Sequence, residues 1–421
     1  MKIPKEWHLG TLEDVIASVR GGFSVKCEDR QASTNEMAVL KTGAVLNGLF
    51  DPSQNKYVPP SEHTAMRTPV KAGTIIFCRK NSEDTIGAAA LVNSDAPKIF
   101  LSDLLWELRP AKNVNRVWLV NNLKSDRVRK LIQIEATGTQ STMKNISQDR
   151  LLNVPIGVPP LAEQHKIAEI LRTWDDAIEK LTALRTAKQK RHRALTHSLV
   201  FGTRQLDRFR TTDEVTPHRW FTLPASWGNK SIGKLAREIS ERNADAEPHE
   251  VLSCSKYHGF VRSLEYFKKQ VFSADLSGYK KIWCGDFGFP SNHVEEGSIG
   301  LQNLTDVGVV SPIYTVFRFA PEKVDANYAY AVLKTGLYRH IFEISTSASV
   351  DRRGSLRWSE FSKLPFPVPS LAEQKAIAEV LRTAQTDLDA LTTEIDALTR
   401  QKRGLMQKLL TGEWRVTVEA D

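Results

Sequence analysis

The phrase LAEQHKIAEILRT begins at Leu161, and LAEQKAIAEVLRT begins at Leu371, at an offset of 210 residues with ten of thirteen positions identical. The match continues upstream: LLNVPIGVPPLAEQ from Leu151 aligns without gaps on FSKLPFPVPSLAEQ from Phe361. Pro155 meets Pro365, Val158 meets Val368, Pro159 meets Pro369, and Gly202 meets Gly412 at the same offset. A fainter echo sets IPKEW at Ile3 beside LPASW at Leu223, with Trp7 opposite Trp227. Between these landmarks the two halves diverge. Each half therefore reads as a variable globular unit followed by a similar segment of about forty residues. The period exceeds the ~20–50 residues of solenoid repeats.

The similar segment reads as a long helix. Ser370 and Glu373 have the spacing of a capping box, and Pro160 opens the first copy where a missing N–H costs little. No proline or glycine occurs from Leu161 to Phe201, and only Gly404 interrupts the second copy. Gly202 and Gly412 fit the left-handed position past a helix end. At 1.5 Å per residue each helix spans roughly 60 Å. In the second copy Ile377, Leu381, Ala384, Leu388, Leu391, Ile395, Leu398, Lys402, Leu405 and Leu409 alternate spacings of four and three. That is a heptad seam, which needs a partner helix to cover it. The first copy carries Ile167, Leu171, Trp174, Ile178 and Leu181, then Arg185, Lys188 and His192, then Leu195 and Leu199. Its seam breaks in the middle, where Leu184 and Ala187 can take over after a small shift in facing. Each seam is the simplest partner for the other. Connectivity makes the pair antiparallel if each globular unit docks at its helix's start. The expected fold class is α+β, with two mixed domains separated by a two-helix coiled-coil spacer and a pseudo-twofold internal duplication.

The 421 residues suffice for two or three domains of ~100–200 residues, and 41% hydrophobic content suffices for their cores. The net charge of +9 favours a polyanionic partner such as nucleic acid, or an anionic membrane. No apolar run approaches the ~18 residues of a membrane span, and the start MKIPKEWHLG lacks a signal-peptide core. Cys27, Cys78, Cys254 and Cys284 form no C-x-x-C pair and read as free thiols in a reducing cytoplasm. Catalytic signatures are missing from the sequence. GNKSIGKL at Gly228 nearly spells a phosphate loop but places Leu235 where Ser or Thr should hold magnesium. HVEEG at His293 sets two glutamates side by side; adjacent residues diverge on a regular element, so it reads as solvated surface and not as a metal site. No catalytic, cofactor-binding or metal-binding residue is assigned.

The phrase P-x-V-P-[PS]-L-A-E-Q-x-x-I-A-E-[IV]-L at the end of each half, followed by a long helix, resembles the specificity subunit of type I restriction–modification systems. The resemblance spans the whole chain and is strongest in the two helical regions. It implies a first target-recognition domain at 1–158, a spacer helix at 159–202 and a linker at 203–220. A second recognition domain at 221–368, a second spacer helix at 369–412 and a tail at 413–421 complete the layout. It also implies a non-catalytic, cytoplasmic subunit in which each domain reads half of a split, asymmetric site on double-stranded DNA. By the same resemblance two modification subunits dock around the helices, and restriction subunits join only in those systems that cleave. AdoMet, ATP and Mg belong to those partners, which methylate adenine and cleave DNA.

Candidate DNA contacts fall on loops that mix hydroxyls, amides and cations, groups suited to phosphates and base edges. Before the first Pro-rich joint, TGTQSTMKN offers Thr139, Gln140, Ser141, Thr142, Lys144 and Asn145. Its counterpart STSASVDRRGSLR offers Ser347, Ser349, Arg352, Arg353, Ser355 and Arg357. Strand-then-polar turns add Lys41, Arg79, Lys80 and Asn81 in the first half, and Lys256, Tyr257, Ser291, Asn292 and His293 in the second. The basic stretch RTAKQKRHR from Arg185 reads first as a solvated helix face. Two other classes compete: a protein–protein scaffold built on the coiled coil, which would bind DNA negligibly at low salt, and a self-contained DNA-modifying enzyme, which the missing signatures disfavour.

Overall fold

The computed structural model describes residues 3–46, 48–138, 143–244, 247–347 and 355–418. They form two compact units, Met1–Thr182 with Thr393–Asp421, and Ala183–Thr392. The long helices Leu161–Val200 and Leu371–Leu410 each begin in one unit and end in the other. Both units are mixed α+β.

In the first unit a four-stranded sheet runs in the order Ile16–Gly21, Leu105–Pro110, Ile75–Cys78, Ala89–Leu91. The second unit repeats that order with Ala236–Ile239, Tyr314–Phe319, Phe287–Pro290 and Gly300–Leu301. A second sheet orders Asn55–Tyr57, Ala38–Leu40, Ala96–Phe100 and Pro69–Val70. Its counterpart orders Gly259–Arg262, Glu250–Ser255, Val307–Val310 and Lys280–Trp283. Even a parallel strand pairing recurs, Ala38–Leu40 with Ala96–Phe100 and Glu250–Ser255 with Val307–Val310. The sequence halves that diverge most therefore share one topology. Pro155 and Pro365 each open a short strand leading to a long helix, a first-residue position where the missing N–H breaks no ladder.

Each unit builds one main core that includes the start of one long helix and the end of the other. In the first, Trp7, Trp118 and Ile132 cluster with Ile167 and Leu171, and with Met406, Leu409 and Leu410. Partners run in opposite directions: Asp175 of the first helix pairs with Lys402 of the second, and the earlier Glu163 with Arg415, which lies just past the second helix's end. In the second, Leu199 and Val200 share a cluster with Ile377 and Leu381, while Lys188 meets Asp387 at 3.4 Å. The seam of the second helix is buried at Ile377, Leu381, Leu388, Leu391 and Ile395.

Two local expectations fail. The first helix does not re-face at its seam break. Leu184 stays 45% exposed and Ala187 is exposed, whereas Arg185, Lys188 and His192 remain half-buried on the seam. Long side chains can lay their aliphatic stems along a partner and keep the charge in water, so no rotation is needed. The capping box at Ser370 is half formed. Its hydroxyl accepts from the Glu373 N–H at 3.2 Å, but the Glu373 carboxylate turns to Trp227 instead of reaching back.

Candidate nucleic-acid interface

The repeated Glu-Gln of LAEQ seats each variable unit on its helix. In the first unit Trp7 Nε1 donates to Glu163 at 3.0 Å. Gln164 accepts from the Asn115 backbone at 2.9 Å and donates to the Pro159 carbonyl at 3.0 Å. In the second, Trp227 Nε1 donates to Glu373 at 3.1 Å, and Gln374 makes the matching bonds to Asp325 and Pro369 at 2.8 and 3.0 Å. Asn115 and Asp325 are themselves N-caps, so the glutamine fixes the residue that starts the next helix. All four Glu and Gln side chains are buried and paired, as buried polar groups require. Gly202 and Gly412 adopt φ of 67° and 74°, and at each an added Cβ would lie 2.5 Å from a ring carbon of Pro224 or Pro4. One difference separates the copies. Arg415 salt-bridges Glu163 in the first unit, whereas in the second the neutral Gln205 lies 3.4 Å from Glu373. Burial then raises the Glu373 pKa above its ordinary value, and the Gln205 and Trp227 hydrogen bonds only partly oppose it.

The seated units bring distant candidate loops together. In the first, Lys80–Asn81 pairs antiparallel with Lys144–Asn145, Lys144 opposite Asn81 and Asn145 opposite Lys80. The Ile146 N–H donates to the Arg79 carbonyl at 3.1 Å, and buried Ile146 anchors the segment in the core. Thr137 closes the loop with two backbone bonds to Asn145. The second unit repeats the device: the Leu356 N–H donates to the Ser291 carbonyl at 2.8 Å, with Leu356 buried. Ser355 and Arg357 thus flank the same anchor that Lys144, Asn145 and Ser147 flank in the first unit.

Several candidates are held by the fold. Arg79 Nε donates to the Asp103 carbonyl at 2.8 Å and stacks over Trp106, and Asn81 caps Ser82 at 2.8 Å. The Ser291 hydroxyl is spent on the Ile313 carbonyl at 2.8 Å. Lys41 lies in the other sheet's turn, where its N–H bonds the Gln54 carbonyl. Lys256 and Tyr257 sit at a hairpin turn, Tyr257 76% exposed with the Lys256 ammonium 5.4 Å from its ring. Asn292 is half-buried beside exposed His293. Ser347 ends the helix Gly336–Ser347. Thr139, Gln140, Ser141, Thr142, Ser349, Arg352 and Arg353 lie outside the described residues. The HVEEG glutamates do not diverge: donor atoms of His293, Glu295 and Glu296 lie within 4.8 Å of one another, because a short 3-10 turn draws the three together.

Sequence reasoning missed a groove in the second unit, with a volume of about 1420 Å³. It runs from Lys256 and Tyr257 past Lys334 and Arg339 to His192 and Arg193. Part of the basic stretch of the first helix thus lines a concavity. Lys334 Nζ ties its wall together, donating to the carbonyls of Lys256 and Gly297 at 2.8 and 2.9 Å. No sequence signal marks this groove, because its walls come from five separate segments. Among the described residues no helix is long and apolar enough to cross a membrane.

Two modules of one topology, each locked by the same Glu-Gln pair and carrying different polar loops on a common anchor, define a duplicated binding scaffold. Residues 4–189 and 284–400 match the family described as Type I restriction modification DNA specificity domain. The chain belongs to this family, that of the specificity subunits of type I restriction–modification systems. It is 22% identical over 437 residues to the putative type I restriction enzyme MjaX specificity subunit of Methanocaldococcus jannaschii, covering 99% of this chain and 95% of that one. Its fold is similar to the crystal structure of the type I S subunit from M. genitalium, with a TM-score of 0.55 at 16% identity over 97% and 98% of the two chains. A structure described as the basis of complex assembly and conformational transition of the type I R-M system matches with the same TM-score and identity, over 98% of this chain and 100% of that one.

Proposed function

We propose that the two units each bind one half of a bipartite, asymmetric DNA site, while the long helices set the unread gap and dock two modification subunits. The chain is non-catalytic and cytoplasmic in this reading. AdoMet, ATP and Mg serve the partner subunits, and a restriction subunit joins where the system cleaves. One observation carries it. The two units share sheet order, seating contacts and loop anchor, yet differ in the residues presented there: Lys144 and Asn145 in one, Ser355 and Arg357 in the other. A shared frame with unlike reading residues suits two different half-sites. DNA carries a phosphate every 3.4 Å per strand, so a helix of roughly 60 Å parallels about 17 base pairs.

The test is to purify the chain with its modification partner, map methylated adenines, and footprint the site. Two protected blocks with an indifferent gap support the reading, and a heptad inserted into both helices is expected to widen the gap by about 3 base pairs. One continuous block contradicts it. No salt-sensitive DNA binding would favour the scaffold, and methylation by the isolated chain with AdoMet would favour an enzyme.

A further inference from the structure

The short helix Ser263–Phe267 of the second unit leaves Leu264, Tyr266 and Phe267 exposed, by 58%, 46% and 41%. It ends on Lys268, whose φ of 53° makes it the one non-glycine residue with positive φ among the described residues. Its N–H closes the helix on the Leu264 carbonyl at 3.1 Å. Glycine fills such a left-handed cap without a Cβ clash, so a lysine there sacrifices local stability. The fold gains nothing visible in return: Lys268 and Lys269 are exposed and have no ion-pair partner among the described residues. The rings pack together, Tyr266 lying 5.0 Å from Phe267 and 6.4 Å from His258. Lys256 stands on the same hairpin turn as His258.

Exposed contiguous apolar surface marks an interaction site. Its rim decides the partner: Lys256, Lys268 and Lys269 outnumber the one exposed carboxylate of the helix, Glu265. Lysine is depleted at protein–protein interfaces, whereas flanking ammoniums around apolar wedges are what a DNA minor-groove contact needs. We propose that this patch is a wedge of the second unit, with Tyr266 and Phe267 pressing on a base step of duplex DNA while Lys256, Lys268 and Lys269 hold the adjoining phosphates. The second unit then reads its half-site partly through the ease of deforming it. The proposal rests on the DNA-binding reading above.

The experiment uses the complex of the chain with its modification partner, and the duplex mapped for it with 2-aminopurine placed at successive steps of the second half-site. The wild type is expected to raise fluorescence at one step, and Tyr266→Ser with Phe267→Ser to abolish that rise. Lys268→Gly is expected to weaken binding several-fold and lower the slope of log affinity against log salt by about one. Its melting temperature should hold or rise, which a purely structural lysine would not allow. Wild-type binding that Lys268→Gly leaves unchanged, or that shows no fluorescence rise at any step, overturns the wedge alone. Variants that lose the modification partner but keep their DNA slope make the patch a protein interface and also overturn it. No salt-sensitive binding by the wild type overturns the functional reading and the wedge together.

Discussion

Trp227 donates its indole N–H to Glu373 over 3.1 Å, as Trp7 does to Glu163 over 3.0 Å, yet only Glu163 has a guanidinium beside it. The same buried carboxylate thus sits in two electrostatic settings within one chain, and the two should respond differently to neutralisation.

Burial raises the Glu373 pKa above its ordinary value of 4.5. A carboxyl raised in the folded state stabilises that state below its unfolded value and loses the contribution as pH climbs through the folded one. Glu373→Gln should therefore equal or exceed the parent in melting temperature at mildly alkaline pH, with the gap closing as pH falls toward the ordinary value. Thermal melts across that range check it; a parent clearly more stable than the variant in alkali contradicts it.

Glu163→Gln should behave in the opposite way. It leaves Arg415 facing a neutral amide, with Glu6 as its remaining acidic partner. Because Arg415 is partly exposed, the expected loss is about 1–2 kcal/mol by urea unfolding at neutral pH. Gln205→Arg should give the second unit the missing cation and raise its stability.

Gly202→Ala and Gly412→Ala force a Cβ onto left-handed backbone and against a proline ring. Each should cost about 1–3 kcal/mol, with Asn costing less than Ala at the same positions. Equal midpoints for Ala and wild type in chemical denaturation would show that the joint relaxes freely.

The polar stretch of the first helix offers a gain. Lys188 pairs with Asp387 only at 3.4 Å with both side chains substantially exposed, a contact worth little. Lys188→Leu with His192→Leu should extend the apolar seam and raise the melting temperature by about 2–4 °C. Asp175→Asn should act in reverse, by about 1–2 kcal/mol, because the Lys402 ammonium is mostly buried and loses its partner.

Lys144→Ala is expected to lower the salt slope of DNA binding by about one and weaken binding to all sequences alike, leaving the melting temperature unchanged. Filter binding at several salt concentrations reads it. An unchanged slope removes Lys144 from the phosphate contacts.

The helices were legible because their signal is local: absent prolines, a heptad spacing, and glycines just past Val200 and Leu410. The shared sheet order was not, because Ile75–Cys78 and Phe287–Pro290 occupy equivalent strands with different side chains, and only tertiary pairing reveals it. At the candidate interface, composition singled out both Lys80–Asn81 and Lys144–Asn145, but not that they form one ladder. The helix Ser263–Phe267 was not singled out, because the exposure of Leu264, Tyr266 and Phe267 follows from neighbours distant in sequence and not from SLEYF itself. Spacing marked Ser370 and Glu373 as a closed box, and a tryptophan 146 residues away won the carboxylate.

The Glu-Gln clasp asks little of what it holds: an indole near the module's start and a backbone N–H at one helix cap. Any insert presenting those two handles, and an apolar base for the helix ends to pack on, would dock, whatever its loops carry. Evolution can accordingly exchange one reading cartridge for another, and acquire a new target, without redesigning the holder.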